Sequence, residues 1–440
     1  MTKLPRRSLL EGLLALGAAG CAASGTATAA SGRPQARPRP RPRPPIDAWQ
    51  RVRDEFEVSP AWIHMTSFLL ASHPRPVREA IEALRRELDD NPARALDAHE
   101  DAAPVREAAA AYMGARAGEI ALTGSTTMGL ASLYLGLPLR AGDEVLTTAH
   151  DHYATHEALR FAAERTGATV RKIALYERSS AATATEMAGA IEAAITPATR
   201  VVAITWVHSG SGVRTPVRAI AEVVARANQG RAPGDRVVCC VDGVHGFGVE
   251  DVTMADLGCD FFSAGCHKWI FGPRGTGVLW GRAELWPMLR PSIPHFGQEG
   301  YGAWLRGQPA PPTTANMMSP GGFHAFEHRW ALPAAFAFHR RIGKARVAAR
   351  IHALNRQCKE GLRAMKHVTL HTPIDDAISA GLVCFEVAGM STAAVVERLR
   401  ERKIVASTAP YATRHARVAP SLLNSEADVE AVLREVRALA

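Results

Sequence analysis

Val237-Val238-Cys239-Cys240-Val241-Asp242 and, twenty-six positions beyond its aspartate, Lys268 in Gly265-Cys266-His267-Lys268-Trp269 are the stretches on which the fold turns. The first is a short apolar run that ends in an acid. It reads as a strand whose carboxyl end lies at the edge of a parallel sheet, where such sheets bind ligands. An aspartate there also suits a helix cap. The second sets a lysine among apolar residues and follows it with Gly272-Pro273-Arg274-Gly275. Burying a lysine is costly unless it is used, and a desolvated amine becomes a nucleophile towards aldehydes. The plainer alternative is a surface lysine with its stem laid along the protein.

Working outward, strand and helix signals alternate from about residue 76. Glu119–Thr123, Glu144–Thr148, Val170–Leu175 and Val201–Val207 read as short β-branched strands. Phe261–Cys266 and Gly277–Trp280 add two more. Thr155–Arg165, Ala184–Ile195 and Val217–Asn228 read as helices between them. This alternation predicts an α/β domain with a mostly parallel sheet and helices on both faces. Beyond Ala331 the pattern changes to long helices around one strand, Gly381–Val387, a smaller α+β unit. The expected organisation is a leader over 1–30, a linker over 31–46 and an N-terminal segment over 47–75. A large domain over 76–325 and a small C-terminal domain over 326–440 follow.

Thr123-Gly124-Ser125-Thr126-Thr127 joins a strand to a helix. Its N–H groups and hydroxyls suit a phosphate, and equally a simple Ser/Thr cap. His152, in Asp151-His152-Tyr153-Ala154, follows another strand end.

The 440 residues are 47% apolar and 22% charged, an ordinary globular composition. Collagen, a disulfide mini-scaffold and a wholly disordered chain are excluded. No apolar run beyond the first thirty residues is long enough for a transmembrane span. The net charge of +9 is concentrated in residues 1–46, where Lys3, Arg6, Arg7 and five further arginines face only Glu11. The remainder carries +2, so a nucleic-acid partner is not expected. The seven cysteines show no CxxC metal spacing, and no metal site is expected from them.

Residues 1–30 read as an export signal, with Arg6-Arg7-Ser8-Leu9-Leu10 resembling a twin-arginine leader. That predicts a periplasmic or otherwise extracytoplasmic protein. Ala18-Ala19-Gly20-Cys21 resembles a lipoprotein box, which makes Cys21 a candidate lipid anchor. Ala27-Thr28-Ala29 fits ordinary cleavage. The Arg/Pro alternation of 31–46 is an extended spacer.

Asp242, Lys268 at +26, the histidine before it and the glycine-rich turn after it together resemble the class V aminotransferase and cysteine desulfurase superfamily. The resemblance spans roughly residues 60–440. Gly265-Cys266-His267-Lys268-Trp269 and the tail Arg417-Val418-Ala419-Pro420-Ser421-Leu422-Leu423-Asn424 are closest to isopenicillin N epimerase-like members. The resemblance implies a pyridoxal-phosphate enzyme of fold type I, working as a homodimer on an amino-acid-type small molecule. Lys268 would bond the cofactor aldehyde and move protons, and Asp242 would pair with the ring nitrogen. His152 would stack on the ring. Thr126, Thr127 and His267 would bind phosphate, and His245 would line the pocket. Ser209 stands where many relatives carry an asparagine facing the phenolic oxygen. Arg417 would hold the substrate carboxylate.

Two departures stand out. Desulfurases carry a mobile-loop cysteine shortly before the position of Arg417, and Ala406–Arg414 has none. Relatives often have Glu-x-Gly-Thr where this chain has Glu327-His328-Arg329-Trp330, so Arg329 either replaces the phosphate-binding threonine across a dimer interface or pairs with Glu327 or another acid at a subunit surface. Epimerisation, transamination and elimination at a β carbon share this residue set. A non-catalytic ligand-binding relative is the competing class.

Overall fold

A computed structural model of the chain describes residues 48–93 and 102–440. The leader with Arg6-Arg7 and Cys21, and the Arg/Pro spacer, lie outside the described residues.

A two-residue strand β1 (Ile63–His64) precedes the main sheet. That sheet comprises β2 (Ile120–Thr123), β3 (Glu144–Thr148), β4 (Thr169–Ile173), β5 (Thr199–Thr205), β6 (Val238–Asp242), β7 (Phe261–Gly265) and β8 (Gly277–Gly281). Its spatial order is β2-β8-β7-β6-β5-β3-β4. The run from β7 to β4 is parallel, and β8 alone opposes both of its neighbours. Each expected strand and helix of this region is present, with ends shifted by one or two residues. This is the α/β architecture of fold type I, with a mixed, mostly parallel sheet.

Every residue of β6 and of β7 is buried. A strand covered on both faces has no polar side to show, which is why these runs read as continuously apolar. The two-residue period still sorts their side chains. Val241 and Phe262 enter one core with Phe247, Trp269 and Phe336. Cys240 and Phe261 enter the other, with Leu133, Leu159 and Trp286.

The C-terminal part carries β9 (Val368–Leu370), β10 (Val383–Val387), β11 (Ile404–Val405), β12 (Ser407–Thr408) and β13 (Ala416–Val418). Four of them form an antiparallel sheet in the order β12-β13-β10-β9, while β11 pairs in parallel with β1. The single strand expected beyond Ala331 is β10. Its partners span two or three residues, too short for an alternation to register in sequence. A third core forms here from Met65, Leu354, Phe385, Val418 and Leu433. Among the described residues no helix is long and apolar enough to cross a membrane.

The end of β6 is held tightly to β7. Gly243 donates its N–H to Ser263 O at 2.9 Å. A Cβ on Gly243 would stand 2.0 Å from the Phe262 ring. Gly243→Ala is therefore expected to cost about 1–3 kcal/mol, the scale of an overpacked core. Thermal or denaturant unfolding measures it. Phe262→Leu in the same chain should recover part of the loss, whereas independent additive losses would show that the two side chains do not meet.

Candidate active site

The main sheet presents several of its strand ends along one edge, and each contributes to a cavity of about 220 Å³. Thr126 and Thr127 follow β2. His152 follows β3, Ser209 follows β5, and Asp242 and His245 lie at and beyond the end of β6. His267 and Lys268 follow β7, and Arg417 enters from β13 of the small sheet. Of the expected site residues, Arg329 is the one that does not line this cavity. Tyr411, Thr205, Ser125 and Leu69 line it as well.

Local chemistry explains each placement. Ser125 caps the helix Thr126–Gly136, its side chain accepting from Met128 N–H. Capping and anion binding are therefore compatible here, because the N–H groups of the first turn remain beside Thr126 and Thr127. Thr126 Oγ1 accepts from Gly265 N–H at 2.7 Å and keeps its own proton to donate. Asp151 ties neighbouring strands together. It accepts from Thr148 N–H at 2.7 Å and from Thr205 N–H at 2.8 Å. His152, the next residue, caps the helix Tyr153–Thr166 through Nδ1, which accepts from Ala154 N–H. That bond orients the imidazole and leaves Nε2 with the proton.

Asp242 is buried, and Val244 N–H donates to its Oδ1 at 3.2 Å. Burial pushes its pKa up to about 6, against the pull of that hydrogen bond and of Lys268. Lys268 is lowered to about 8, again by burial first, with Asp242 opposing and Arg417 assisting. His245 is held well below the ordinary imidazole range by burial and by the cations Lys268 and Arg417. Burial also lowers His152 and His267. The cavity therefore holds two cations and neutral imidazoles against one carboxylate. That balance suits a dianionic phosphate and a carboxylate ligand.

Arg417 pairs in register with Cys384 on one side and Ser407 on the other. Its guanidinium donates to Ser209 O at 2.9 Å, to Thr408 O at 3.1 Å and to Ser407 Oγ at 3.2 Å. It lies over the Phe68 ring, 4.8 Å from the centroid. These contacts fix the planar fork. Ser209 Oγ is 2.7 Å from Tyr411 OH, so its hydroxyl faces a phenol on the small unit. Tyr411 was not singled out in sequence. It lies inside Ala406–Arg414, a segment read only for a cysteine.

The six described cysteines are all buried. Cys384, nearest to Arg417 in register, has its pKa raised to about 12 by burial. Arg329 is half-buried on the helix Phe326–Ile342. Desolvation, then the neighbouring Arg106, lowers its pKa to about 10. Among the described residues no acceptor takes a hydrogen bond from it.

Asp242→Asn is expected to stabilise the cofactor-free protein. In the wild type the carboxyl stays protonated in the fold up to about pH 6, whereas the unfolded chain ionises near pH 4. The penalty thus grows as pH rises through that interval and is complete above it, on the order of 3 kcal/mol. Unfolding measured at pH 4 and pH 7 checks this: the variant should gain only at the higher pH. An equal gain at both would assign the effect to packing.

Residues 71–432 match the family described as Aminotransferase class-V. A probable cysteine desulfurase of Xylella fastidiosa (strain 9a5c) is 28% identical over 259 residues, 56% of this chain and 59% of that protein's length. The isopenicillin N epimerase of Amycolatopsis lactamdurans is 24% identical over 407 residues, covering 89% of this chain and 98% of the relative. Among solved structures, the cystine C–S lyase C-DES in complex with cysteine persulfide superposes with a TM-score of 0.76 at 23% identity. It covers 86% of this chain and 97% of that one. The apo cysteine desulfurase of Thermococcus onnurineus NA1 gives a TM-score of 0.77 at 21% identity, over 90% and 99%. These superpositions establish the fold. With the family match spanning most of the chain and a half-buried lysine, a buried acid and a buried arginine converging in one cavity, the chain belongs to the aminotransferase class-V family, an enzyme whose cofactor is pyridoxal phosphate.

Proposed function

We propose that the protein acts at Cα of an amino acid or amino-acid-derived metabolite, as an isopenicillin N epimerase-like epimerase or as an aminotransferase. The observation that carries this reading is the convergence of Lys268, Asp242 and Arg417 in one desolvated cavity. The residues fit the cofactor. Lys268 offers a low-pKa amine for its aldehyde, and Asp242 a buried carboxyl for its ring nitrogen. The first turn of the helix Thr126–Gly136, with Thr127 and His267, offers donors for its phosphate. When bound, pyridoxal phosphate supplies the electron sink that makes a Cα–H bond labile. Arg417 holds the substrate carboxylate and so orients Cα. Lys268, near neutrality in pKa, takes and returns the proton. His152 would pack on the ring, and His245 and Tyr411, which line the same cavity, would exclude water from it.

A C–S lyase reading is favoured by the desulfurase and C–S lyase relatives. Two observations shape it. Tyr411 occupies the loop where desulfurases carry a cysteine, and every described cysteine is buried. A lyase here would release its sulfur product to solvent instead of storing it on the protein.

A panel of amino acids, with cofactor absorbance and product analysis, tests these readings. An inverted product with solvent hydrogen at Cα supports an epimerase, and a keto acid formed with the aminated cofactor supports a transaminase. Keto acid with ammonia and a sulfur product supports the lyase. A spectral change without turnover would mark a binding relative and overturn the enzymatic reading.

Arg417→Ala is expected to weaken amino-acid binding by about 2–5 kcal/mol with cofactor affinity nearly unchanged. Equal loss of both would make Arg417 structural. The homodimer belongs to the same proposal, with Arg329 reaching the partner's phosphate group. Arg329→Ala should then weaken pyridoxal phosphate strongly and unphosphorylated pyridoxal little. Small equal losses would leave Arg329 without that role. Export rests on Arg6-Arg7. Replacing both with lysine should trap active precursor in the cytoplasm, and mature protein still appearing outside would overturn the twin-arginine reading.

A further inference from the structure

Beside the catalytic cavity lies a second one of about 640 Å³, and Tyr411 lines both. Its walls include His150, Tyr176, His208, His371 and His415. The small sheet brings three donor side chains together at its edge. His371 follows β9, Glu386 lies on β10 and His415 precedes β13. One ligand atom from each lies within 4.8 Å of the others. The geometry points to a divalent transition-metal site of the zinc type, built from His371, Glu386 and His415, with both of its imidazoles lining this second cavity.

Four observations carry it. First, the donor set of two imidazoles and a carboxylate is the one that borderline divalent ions prefer. Second, His415 Nδ1 is 2.9 Å from Gly210 O. Donating there assigns the proton to Nδ1 and leaves the Nε2 lone pair free. That is the outer-shell arrangement that orients a metal-binding histidine. Its Nε2 lies 3.8 Å from Glu386 Oε1. Third, His371 Nε2 is shielded from solvent and lacks a hydrogen-bond partner, although Glu386 Oε2 is only 3.1 Å away. The two atoms are close but misaligned for a hydrogen bond. Ligand atoms about 3 Å apart are what bonds of about 2.0–2.2 Å to one ion produce. Fourth, the backbones are rigidly placed. His371 N–H donates to Cys384 O, and its carbonyl accepts from Ser179 Oγ at 2.8 Å.

The two imidazoles are stacked, with centroids 3.8 Å apart and planes at 17°. Parallel rings aim their lone pairs side by side, so ion binding turns the His371 ring out of the stack. No hydrogen bond among the described residues restrains that ring. His415 stands just before β13, two residues ahead of Arg417, and alternate residues of extended chain share a face. The ion would therefore sit about 7 Å along the strand from the substrate-carboxylate arginine. It would be adjacent to the catalytic cavity and separate from the lysine and aspartate that define it.

The test uses untagged, cofactor-loaded protein that has been treated with a chelator, desalted and exposed to zinc. Bound zinc per chain is measured by elemental analysis, and affinity by competition with a chromophoric chelator. The wild type should retain one equivalent. Glu386→Gln and His371→Ala should each lose it, with affinity reduced about tenfold or more, and the cofactor absorbance should stay unchanged. Both altered residues are partly exposed and lie outside the catalytic cavity, so folding is not at stake as it is for buried His415. Wild-type protein holding no more zinc than Glu386→Gln would overturn the site. So would zinc retained equally by all three proteins. The metal count needs no substrate, so it stands or falls apart from the reaction proposed above.

Discussion

Everything in this molecule is arranged around keeping one amine and one carboxyl out of water. Lys268 and Asp242 are each disfavoured by burial as charged groups, and each is only partly relieved by the other. Such a pair is weak evidence for stability and strong evidence for use. Holding it requires rigid surroundings, and the sheet provides them. β6 and β7 are buried on both faces, and the turn after β6 is so close to β7 that only glycine fits at Gly243.

The large sheet and the small sheet divide the task. Strand ends of the former converge on a cationic, water-poor cleft suited to a phosphate and an aldehyde. The latter brings Arg417 on β13, braced by Ser209 O of the large unit. The guanidinium of Arg417 is thus itself positioned by the loop after β5. Tyr411 closes the same joint through its hydroxyl contact with Ser209.

Much of this was legible in sequence because the decisive strands are fully buried and so read as unbroken apolar runs. Val237–Asp242 could be read directly, and the Lys268 segment followed from it. Nine of the ten expected site residues line one cavity. Others escaped for physical reasons. β9, β12 and β13 are too short to show a period. Tyr411 sits in a loop with no local signal beyond its aromatic ring. The His371–Glu386–His415 group is assembled from β10 and from the chain just beyond β9 and just before β13, and nothing in the linear spacing joins residues so far apart. Arg329 was found as a departure from a motif, but its position depends on helix packing that a motif does not encode.

The pairing of β1 with β11, and of Met65 with both Val405 and Ala419, has a consequence for the order in which the chain is made. Ile63 leaves the ribosome some 340 residues ahead of its strand partner Ile404. Long-range parallel contacts of this kind form late, after a large loop has been closed. The segment carrying Lys268 emerges well before Arg417, so the nascent protein passes through a stage that has the lysine and the Thr126–Gly136 helix start but not the arginine. On the function proposed above, completion of the C-terminal sheet is what would convert a cofactor pocket into a site for an amino acid.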